Sequence, residues 1–597
     1  MRVLFVYPNI ESGNRIHVQP GLASLSATLK LEGHHTGLID LSSAMPREEF
    51  QARVREFDPD LVGFSSTTHQ WQFAQRYAGW VREVSRAPIV CGGYHATLVP
   101  EEIYADPNID WAIRGEGEAA VRELADALEH GRSPDTIKNL WGGPNDVKND
   151  MRPPIADLDT LPYLDYDLFD MTAISRNTGG ILGHILGKGC PYACTYCCNP
   201  QWNAVYRGLG KIVRKFSVPR AIEELVHHTE RLKPRGFQFY DEIFTINKEW
   251  VKDFCDQYKR RIGLPFHALL RVDMVDDEMM EWMADAGCIF VDVGVEAGNE
   301  QFRREVLNRK MSNADIIRVF RKADELGIKT YAFVMLGLPT ETPELMWETV
   351  ELVREIRPDH VQLSIFHPYP RTPLYDLCVE KGYMTGTVAT TYFTNGSVLN
   401  QPQLPQEVIR QGKKEIRQIV IRNKIEKQQV GLYDFIAHLK EAQRRAGHPE
   451  FIQPTVYGDY YNAVVTLNAH PFSSISYKLL IPENAVLRTA LGLNPDVWGK
   501  QEGDAVRFVI TIKSRGKVKE LLSKSINPKF NVEEQKWHPV EIPLDEWSGR
   551  KVTLSFVTQA DPSDNSFSWA GWARPHLARI TDPKPWFLVP TELDAVP

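Results

Sequence analysis

Short apolar strands alternate with stretches of helical spacing twice along the chain, and no other feature limits the fold as much. In residues 1–130 the runs VLFVY (3–7), GLIDL (37–41), LVGFS (61–65), PIVCGG (88–93) and WAIRG (111–115) are separated by amphipathic segments, one from Gly21 to Glu32 and another running on from Glu118. Strands of this kind joined through helices form a parallel sheet covered on both faces, and such sheets bind ligands at the carboxyl ends of their strands. From residue 176 to 400 the alternation resumes, with FQFY (237–240), FHALLR (266–271), FVDVGVE (290–296), KTYAFVMLG (329–337) and VQLSIFHP (361–368) as its strands. With the strand-like ILGHILGK (181–188) these make at least six units, which predict a partial or full parallel barrel.

The remaining segments differ in character. Residues 136–175 are rich in Pro, Gly, Asn and Asp and read as a linker. Residues 401–450 carry helical spacing and many charges, which predicts a solvated helical connector. From about 451 to 597 the runs ISYKLLI, AVRFVITIK and KVTLSFVT are broken by turn residues, the pattern of an all-β sandwich. The aromatic run FSWAGWARPHL (567–577) leaves two readings: aromatic residues filling the sandwich core, or a carbohydrate-binding surface. The expected fold class is multidomain α/β. It comprises a Rossmann-like (flavodoxin-like) domain over 1–135, a barrel domain over 176–400 and a C-terminal sandwich over 451–597.

At 597 residues the chain is too long for one hydrophobic core. Its net charge of −8 implies no basic face, which argues against nucleic acid as a partner. No apolar run approaches the roughly 20 residues that cross a bilayer, and the start MRVLFVYPN has no signal-peptide pattern. The cytoplasm is the expected location.

Four of the eight cysteines fall within the stretch GKGCPYACTYCCNP (187–200). The other four, Cys91, Cys255, Cys288 and Cys378, sit in apolar contexts and read as buried thiols in a reducing compartment. Cys190, Cys194 and Cys197 have the spacing C-x3-C-x2-C, with Cys198 left as a packing residue. Iron–sulfur clusters are held by cysteine thiolates, normally four. Three close thiolates hold three irons and leave one open to a substrate's amino and carboxylate groups. The alternative is structural zinc, which prefers paired C-x2-C knuckles, and no second pair follows here.

With these motifs residues 176–400 resemble a radical S-adenosylmethionine (SAM) enzyme domain. The triplet matches the family's hallmark, and Tyr196 occupies the aromatic slot before the last cysteine. The resemblance implies a [4Fe–4S] cluster on Cys190, Cys194 and Cys197. It assigns Asp241 and Glu242 of YDEIFTIN to the methionyl amine, Arg271 of LLRVD to the carboxylate, and Glu296 of VGVEAG to the ribose. Gly337 of MLGLPTET would lie near adenine. Two positions depart from the family pattern: Thr340 and Arg371 stand where glycine is usual. Singly, each stretch has a plain structural alternative, such as a solvated strand end, an ordinary ion pair or a helix cap.

Residues 1–130 resemble the cobalamin-binding domain that precedes many radical SAM domains, through QPGLASLSATLKLEGHHTGLIDL (19–41), DLVGFSSTTHQ (60–70), CGGYHATLVPEE (91–102) and RGEGEAAVREL (114–124). The resemblance implies cobalamin contacts from Pro8, Asn9, Ser65, Ser66, Thr67, Gly92, Gly93, Tyr94, His95, Gly115, Glu116 and Gly117. The D-x-H-x-x-G motif that puts histidine on cobalt is missing, so no histidine ligand is expected. A domain that keeps the sheet without cobalamin is the competing reading. Together the two resemblances imply a cobalamin-dependent C-methyltransferase working through a 5′-deoxyadenosyl radical and methylcobalamin on a small molecule. Flavodoxin or ferredoxin would be its electron donor. A non-methylating cyclase or rearrangement enzyme, or a non-catalytic cluster and corrinoid sensor, uses the same parts.

Overall fold

The first sheet runs in the order His35–Asp40, Arg2–Tyr7, Leu61–Ser65, Ile89–Gly92, Trp111–Ile113, all parallel. This is the 2-1-3-4-5 order of flavodoxin-like folds, whose ligand crevice opens where the strand order reverses, here between Arg2–Tyr7 and Leu61–Ser65. The computed structural model describes residues 1–10, 16–387, 396–427, 432–445, 452–457, 464–468, 471–494, 497, 505–560 and 570–582. The chain divides into two units, Met1–Arg417 and Gln418–Pro597.

The segment expected as a plain linker adds structure to the first sheet. Leu140–Gly142 pairs antiparallel with Trp111–Ile113, and Val147–Lys148 pairs with Leu140–Gly142 in turn. The connecting turn uses positive φ at Gly142, Gly143 and Asp146, the residue types that accept it most readily.

The second sheet of the same unit is six parallel strands in simple order: Ile181–His184, Gly236–Phe239, Phe266–Leu270, Cys288–Glu296, Lys329–Leu336, His360–Ile365. Among the described residues its first and last strands do not pair, so of the two expected forms it is the partial barrel. Its helices begin where the sequence supplies caps. Ser217, Asn247, Asp276, Ser312 and Thr342 each accept an N–H from the first turn of the helix that follows. The strand Cys288–Glu296 carries a register shift between Gly294 and Glu296 against its neighbour. A bulge of this kind bends a strand and re-aims a side chain, and Glu296 adopts φ +67° there.

The second unit is a two-sheet antiparallel sandwich. The helix Gln406–Lys427 occupies part of the expected connector. The pieces Tyr433–Asp434 and Gln443–Arg445 that follow pair into the two sheets. Trp572 is fully buried, edge-on to Phe508 and Phe556 at 5.1 and 5.2 Å, so this tryptophan fills the core. Phe567 and Trp569 of the same run lie outside the described residues.

Gly298, just past the bulged strand, has no room for a side chain, because a β-carbon there would collide with the Glu348 carbonyl. Gly298→Ala should therefore lower stability by about 1–3 kcal/mol. Thermal denaturation reads this as a fall of several degrees, and an unchanged midpoint would refute the packing argument.

Candidate functional site

The three spaced cysteines sit on one long excursion of the barrel's first βα connection. Its root is a two-residue antiparallel ladder, Gly187–Lys188 against Arg214–Lys215. Asp241 ties this root to the second strand, accepting from Leu186 N at 2.8 Å and Lys215 Nζ at 2.9 Å. Asn203 donates to the Cys190 carbonyl at 2.8 Å, and Asn308 to that of Ala193 at 2.8 Å. Thr195 donates from N to Leu307 O at 3.2 Å and from Oγ1 to Val306 O at 2.6 Å, and its own carbonyl accepts from Leu374 N at 3.2 Å.

Charge is distributed unevenly around the sulfurs. Cys194 is buried, with Nη1 of Arg271 at 3.9 Å and Nη1 of Arg309 at 3.8 Å from its Sγ. Cys197 Sγ accepts from Asn199 N at 3.4 Å. Burial pushes the Cys190 thiol up to about 11, against the pull of the Tyr192 N–H, with the neighbouring thiols and Glu242 raising it further. Coordination to a metal deprotonates a thiol outright, so ligation reverses that preference. Among the described residues no three His, Cys, Asp or Glu side chains stand close enough to share a single ion. A four-iron cluster takes each thiolate on a different iron and does not need that convergence. The donor set and its two guanidinium neighbours fit such a cluster, with Cys190, Cys194 and Cys197 as the residues that could hold it.

Around this loop the structure separates the candidate SAM residues. Asp241, expected on the methionyl amine, is buried with both oxygens engaged in the loop's root. Glu242 is the freer of the two carboxylates. Burial raises its pKa, against backbone N–H groups that include that of Gly189. Arg271 pairs with Asp273 at 2.7 Å and stacks 3.6 Å over the Tyr192 ring. Glu296 is pushed up by burial, against Arg309 at 3.9 Å, the Tyr196 hydroxyl and Arg271. Gly337 has φ +78°, donates to Glu341 at 2.7 Å and accepts from Gln401 at 2.9 Å. Burial lifts the Glu341 carboxyl to about 8 even though the Gly337 and Leu338 N–H groups oppose it.

Arg309 escaped the sequence reading. It donates to Gly294 O at 2.6 Å, the carbonyl beside the bulge, and to the Tyr196 hydroxyl at 3.0 Å. Burial works against its charge, but Tyr196, Glu296 and Cys194 outweigh that and hold its pKa raised. No motif marks it: apart from Met311, two positions on, its side-chain partners Glu296, Gly294, Tyr196 and Cys194 lie 13 to 115 residues away in sequence.

The cobalamin-domain loops face the same region. Gly93 has φ +98°, and a β-carbon there would fall 2.7 Å from the Ser66 carbonyl, so glycine lets the third- and fourth-strand loops meet. At Gly92 a β-carbon would find nothing closer than 3.8 Å, which leaves bare backbone for a bulky ligand. Asn9 is buried and accepts from Gln70 at 3.3 Å, while Ser65 and Thr67 are half-buried beside the crevice. Ser66 is buried against Cys91 Sγ at 3.6 Å, and Pro8 is buried. These hydroxyls and open backbone fit a corrinoid's nucleotide tail. His95 does not belong with them. It is 2% exposed, 5.3 Å from Trp71 by ring centroids, and burial lowers it to about 4, so it is a packed core histidine. Glu116 is likewise withdrawn, its carboxylate taken by Arg214 and by Ile155 N. Gly115, with φ +72°, lies under the Tyr206 hydroxyl, and a β-carbon at Gly117 would lie 3.2 Å from Leu25.

Tyr94 joins the two halves. Its ring is 4.9 Å from Trp202, and its hydroxyl is 3.5 Å from Asn199 Oδ1 in the helix just after the cysteines. Across the opposite seam His69 is 3.0 Å from the Tyr369 hydroxyl and 4.5 Å from the His367 ring. Burial and then His69 lower His367 to about 4.

Comparison with known proteins finds relatives of both domains. Residues 9–125 match the B12 binding domain, and residues 184–353 match the Radical SAM superfamily. The chain is 29% identical over 423 residues to an uncharacterized methyltransferase of Pyrococcus horikoshii, covering 68% of this chain and 90% of that protein. It is 29% identical over 403 residues to the anaerobic magnesium-protoporphyrin IX monomethyl ester cyclase of Cereibacter sphaeroides, covering 63% of each. Its fold is similar to that of the radical SAM methyltransferase TsrM of Kitasatospora setae, solved with tryptophan and a SAM analogue. The TM-score is 0.53 at 20% identity, over 64% of this chain and 77% of that one.

Two outcomes test the site's physics. Arg309→Met removes the cation beside Glu296 and should destabilise the fold by about 3 kcal/mol in denaturant titration. A loss within the scatter of surface substitutions would mean the pair is inert. Thr340, at φ +66°, should gain about 1 kcal/mol on replacement by glycine. A lower denaturation midpoint for Thr340→Gly would overturn the strain assigned to it.

Proposed function

We propose that this chain, a radical SAM enzyme with an N-terminal B12-binding domain, is a cobalamin-dependent methyltransferase acting on a carbon of a small molecule. The observation that carries the reading is Tyr94, which stands on the corrinoid-facing loop yet contacts the helix that follows the cysteines. One side chain thereby belongs to both candidate cofactor sites. When bound, the cluster, SAM and cobalamin supply radical formation and a transferable methyl group.

The protein's own part is to bind, orient and shield. A methionyl group carries an ammonium and a carboxylate, and the strand ends beside the loop offer the complementary charges: Glu242 near Cys190, and Arg271 near Cys194. Glu296, aimed by the bulge and held by Tyr196 and Arg309, would take the ribose hydroxyls. The turn at Gly337, pinned through Glu341 and Gln401, would lie against adenine. Cys190, Cys194 and Cys197 would hold the cluster, and the Ser65–Thr67 and Gly92–Gly93 backbone would receive the corrinoid. His367, neutral over the physiological range and buried, offers a polar contact to a substrate at the seam.

The substrate is a small molecule, and the electron donor is a low-potential flavodoxin or ferredoxin. Eight free cysteines suit the reducing conditions of the cytoplasm. Among the described residues no helix is long and apolar enough to cross a membrane. A second reading, a non-methylating cyclase, is favoured by the similarity to the magnesium-protoporphyrin cyclase.

Anaerobic protein reconstituted with iron, sulfide and cobalamin tests the reading. Dithionite and SAM should yield 5′-deoxyadenosine in the wild type. Cys190→Ala, Cys194→Ala or Cys197→Ala should each abolish it, while Cys198→Ala largely spares it. Equal loss in Cys198→Ala would show the ligand set to be wrong. A product heavier by one methylene supports methylation, an unmethylated dehydrogenated product supports the cyclase, and no deoxyadenosine in the wild type leaves only a sensor.

A further inference from the structure

The RGEGE segment, read from sequence as a corrinoid contact, makes its contacts elsewhere. Glu116 accepts from Arg214 at 2.5 and 3.1 Å, and the pair is buried, with side chains 9% and 7% exposed. Arg214 also donates to Ile155 O at 2.6 Å, and Ile155 N donates back to Glu116 at 2.8 Å. Two residues on, Glu118 is 2.7 Å from Lys188 Nζ and accepts from Ser24 at 2.9 Å. Burial would raise the Glu118 carboxyl, but the Lys188 ammonium outweighs it and holds it below the usual range. The Tyr206 hydroxyl accepts from Glu116 N at 2.5 Å, over Gly115, where any β-carbon would collide with it.

The partners define the purpose. Lys188 and Arg214 are directly opposed in the ladder that closes the root of the cysteine loop. Lys188 is two residues before Cys190, and Tyr206 lies on the same excursion between Cys197 and Arg214. Both carboxylates of the segment therefore grip the two ends of the cysteine loop. Glu116 accepts three hydrogen bonds, two from the Arg214 guanidinium and one from Ile155 N, of the about four that a carboxylate can take.

We propose that Glu116 and Glu118 are positioning residues for the cysteine loop: a latch by which the cobalamin-binding domain fixes the loop's root through Arg214 and Lys188, with Tyr206 as its third point. This rests on the cluster reading above. It gives the first domain a second task besides holding a corrinoid, which is to set the geometry in which three thiols meet one cluster. A loop freed at its root samples more than one such geometry and releases iron sooner.

The test uses the full chain, reconstituted anaerobically and loaded with cobalamin. Three readouts are taken: the rate of iron loss to a chelator, the EPR spectrum of the dithionite-reduced cluster, and cobalamin affinity by absorption titration. Glu116→Gln should speed iron loss about tenfold and broaden the EPR signal, while cobalamin affinity shifts less than about twofold. Tyr206→Phe, which keeps the ring and removes only the acceptor, should show the same pattern at about threefold. Arg214→Gln combined with Glu116→Gln should be no worse than Arg214→Gln alone, because both remove one shared interaction. Weaker cobalamin binding with an unchanged cluster would return Glu116 to the corrinoid and overturn the latch. Parallel loss of cluster and cobalamin, or additive losses in the double variant, would overturn it as well. A wild type that assembles no cluster at all would sink the cluster reading instead.

Discussion

A loop that must hold three thiols apart at fixed spacing cannot rely on a hydrophobic core, because the thiols face a cofactor and not each other. Among the described residues most of 190–205 is only half-buried, and of the cluster cysteines Cys194 alone is buried. Polar ties made by the loop's backbone and short side chains do the work of packing. They run to three separate parts of the barrel: Asp241 at the root, residues 306–308 in the middle and Leu374 opposite. Each such bond contributes on the order of 1 kcal/mol when made and costs more when left unmade in a buried place. The loop is therefore rigid only while its surroundings are assembled.

The electrostatics follow from that placement. A cluster bearing thiolates is anionic and sits in a low-dielectric site, where uncompensated charge is costly. Arg271 and Arg309 both approach the same sulfur, that of Cys194, while the Cys190 side meets a carboxylate instead. Under the proposed function this asymmetry would give an incoming amino acid group a direction. A site lined uniformly by cations would attract its carboxylate and have nothing to orient its amine.

Both parallel sheets were legible in the sequence because strand and helix periods repeat locally, and most of the observed strands begin and end within two residues of the apolar runs. The cysteine spacing was legible for the same reason. What sequence could not show is which polar residues are partners across long separations. Glu116 and Arg214 lie 98 positions apart, and Arg309 and Cys194 lie 115 apart. Nothing local distinguishes Glu116 from a ligand-facing carboxylate, so the glycines flanking it invited a corrinoid reading, when Gly115 in fact yields space to Tyr206. Asp241 and Glu242 show the same limit at one residue's distance. Adjacent in sequence, the two carboxylates take different partners, and only the fold shows that Asp241 holds Lys215.

Thr340 and Arg371, the two departures from the glycine pattern, carry the same lesson into the backbone. Read as letters they are harmless, since neither is a presumed ligand. Both adopt left-handed φ, +66° and +68°, the region in which glycine alone is free of steric cost. A β-branched threonine there persists only if its surroundings over-determine the turn. They do: Glu341 receives the Gly337 and Leu338 N–H groups, and Gln401 receives the N–H of Thr340 while donating to Gly337. Arg371 has a different compensation, because its guanidinium reaches Glu101 of the first domain at 2.6 Å. The side chain that strains the turn thus adds a contact across the seam opposite the latch, exposed and weaker than the buried Glu116–Arg214 pair.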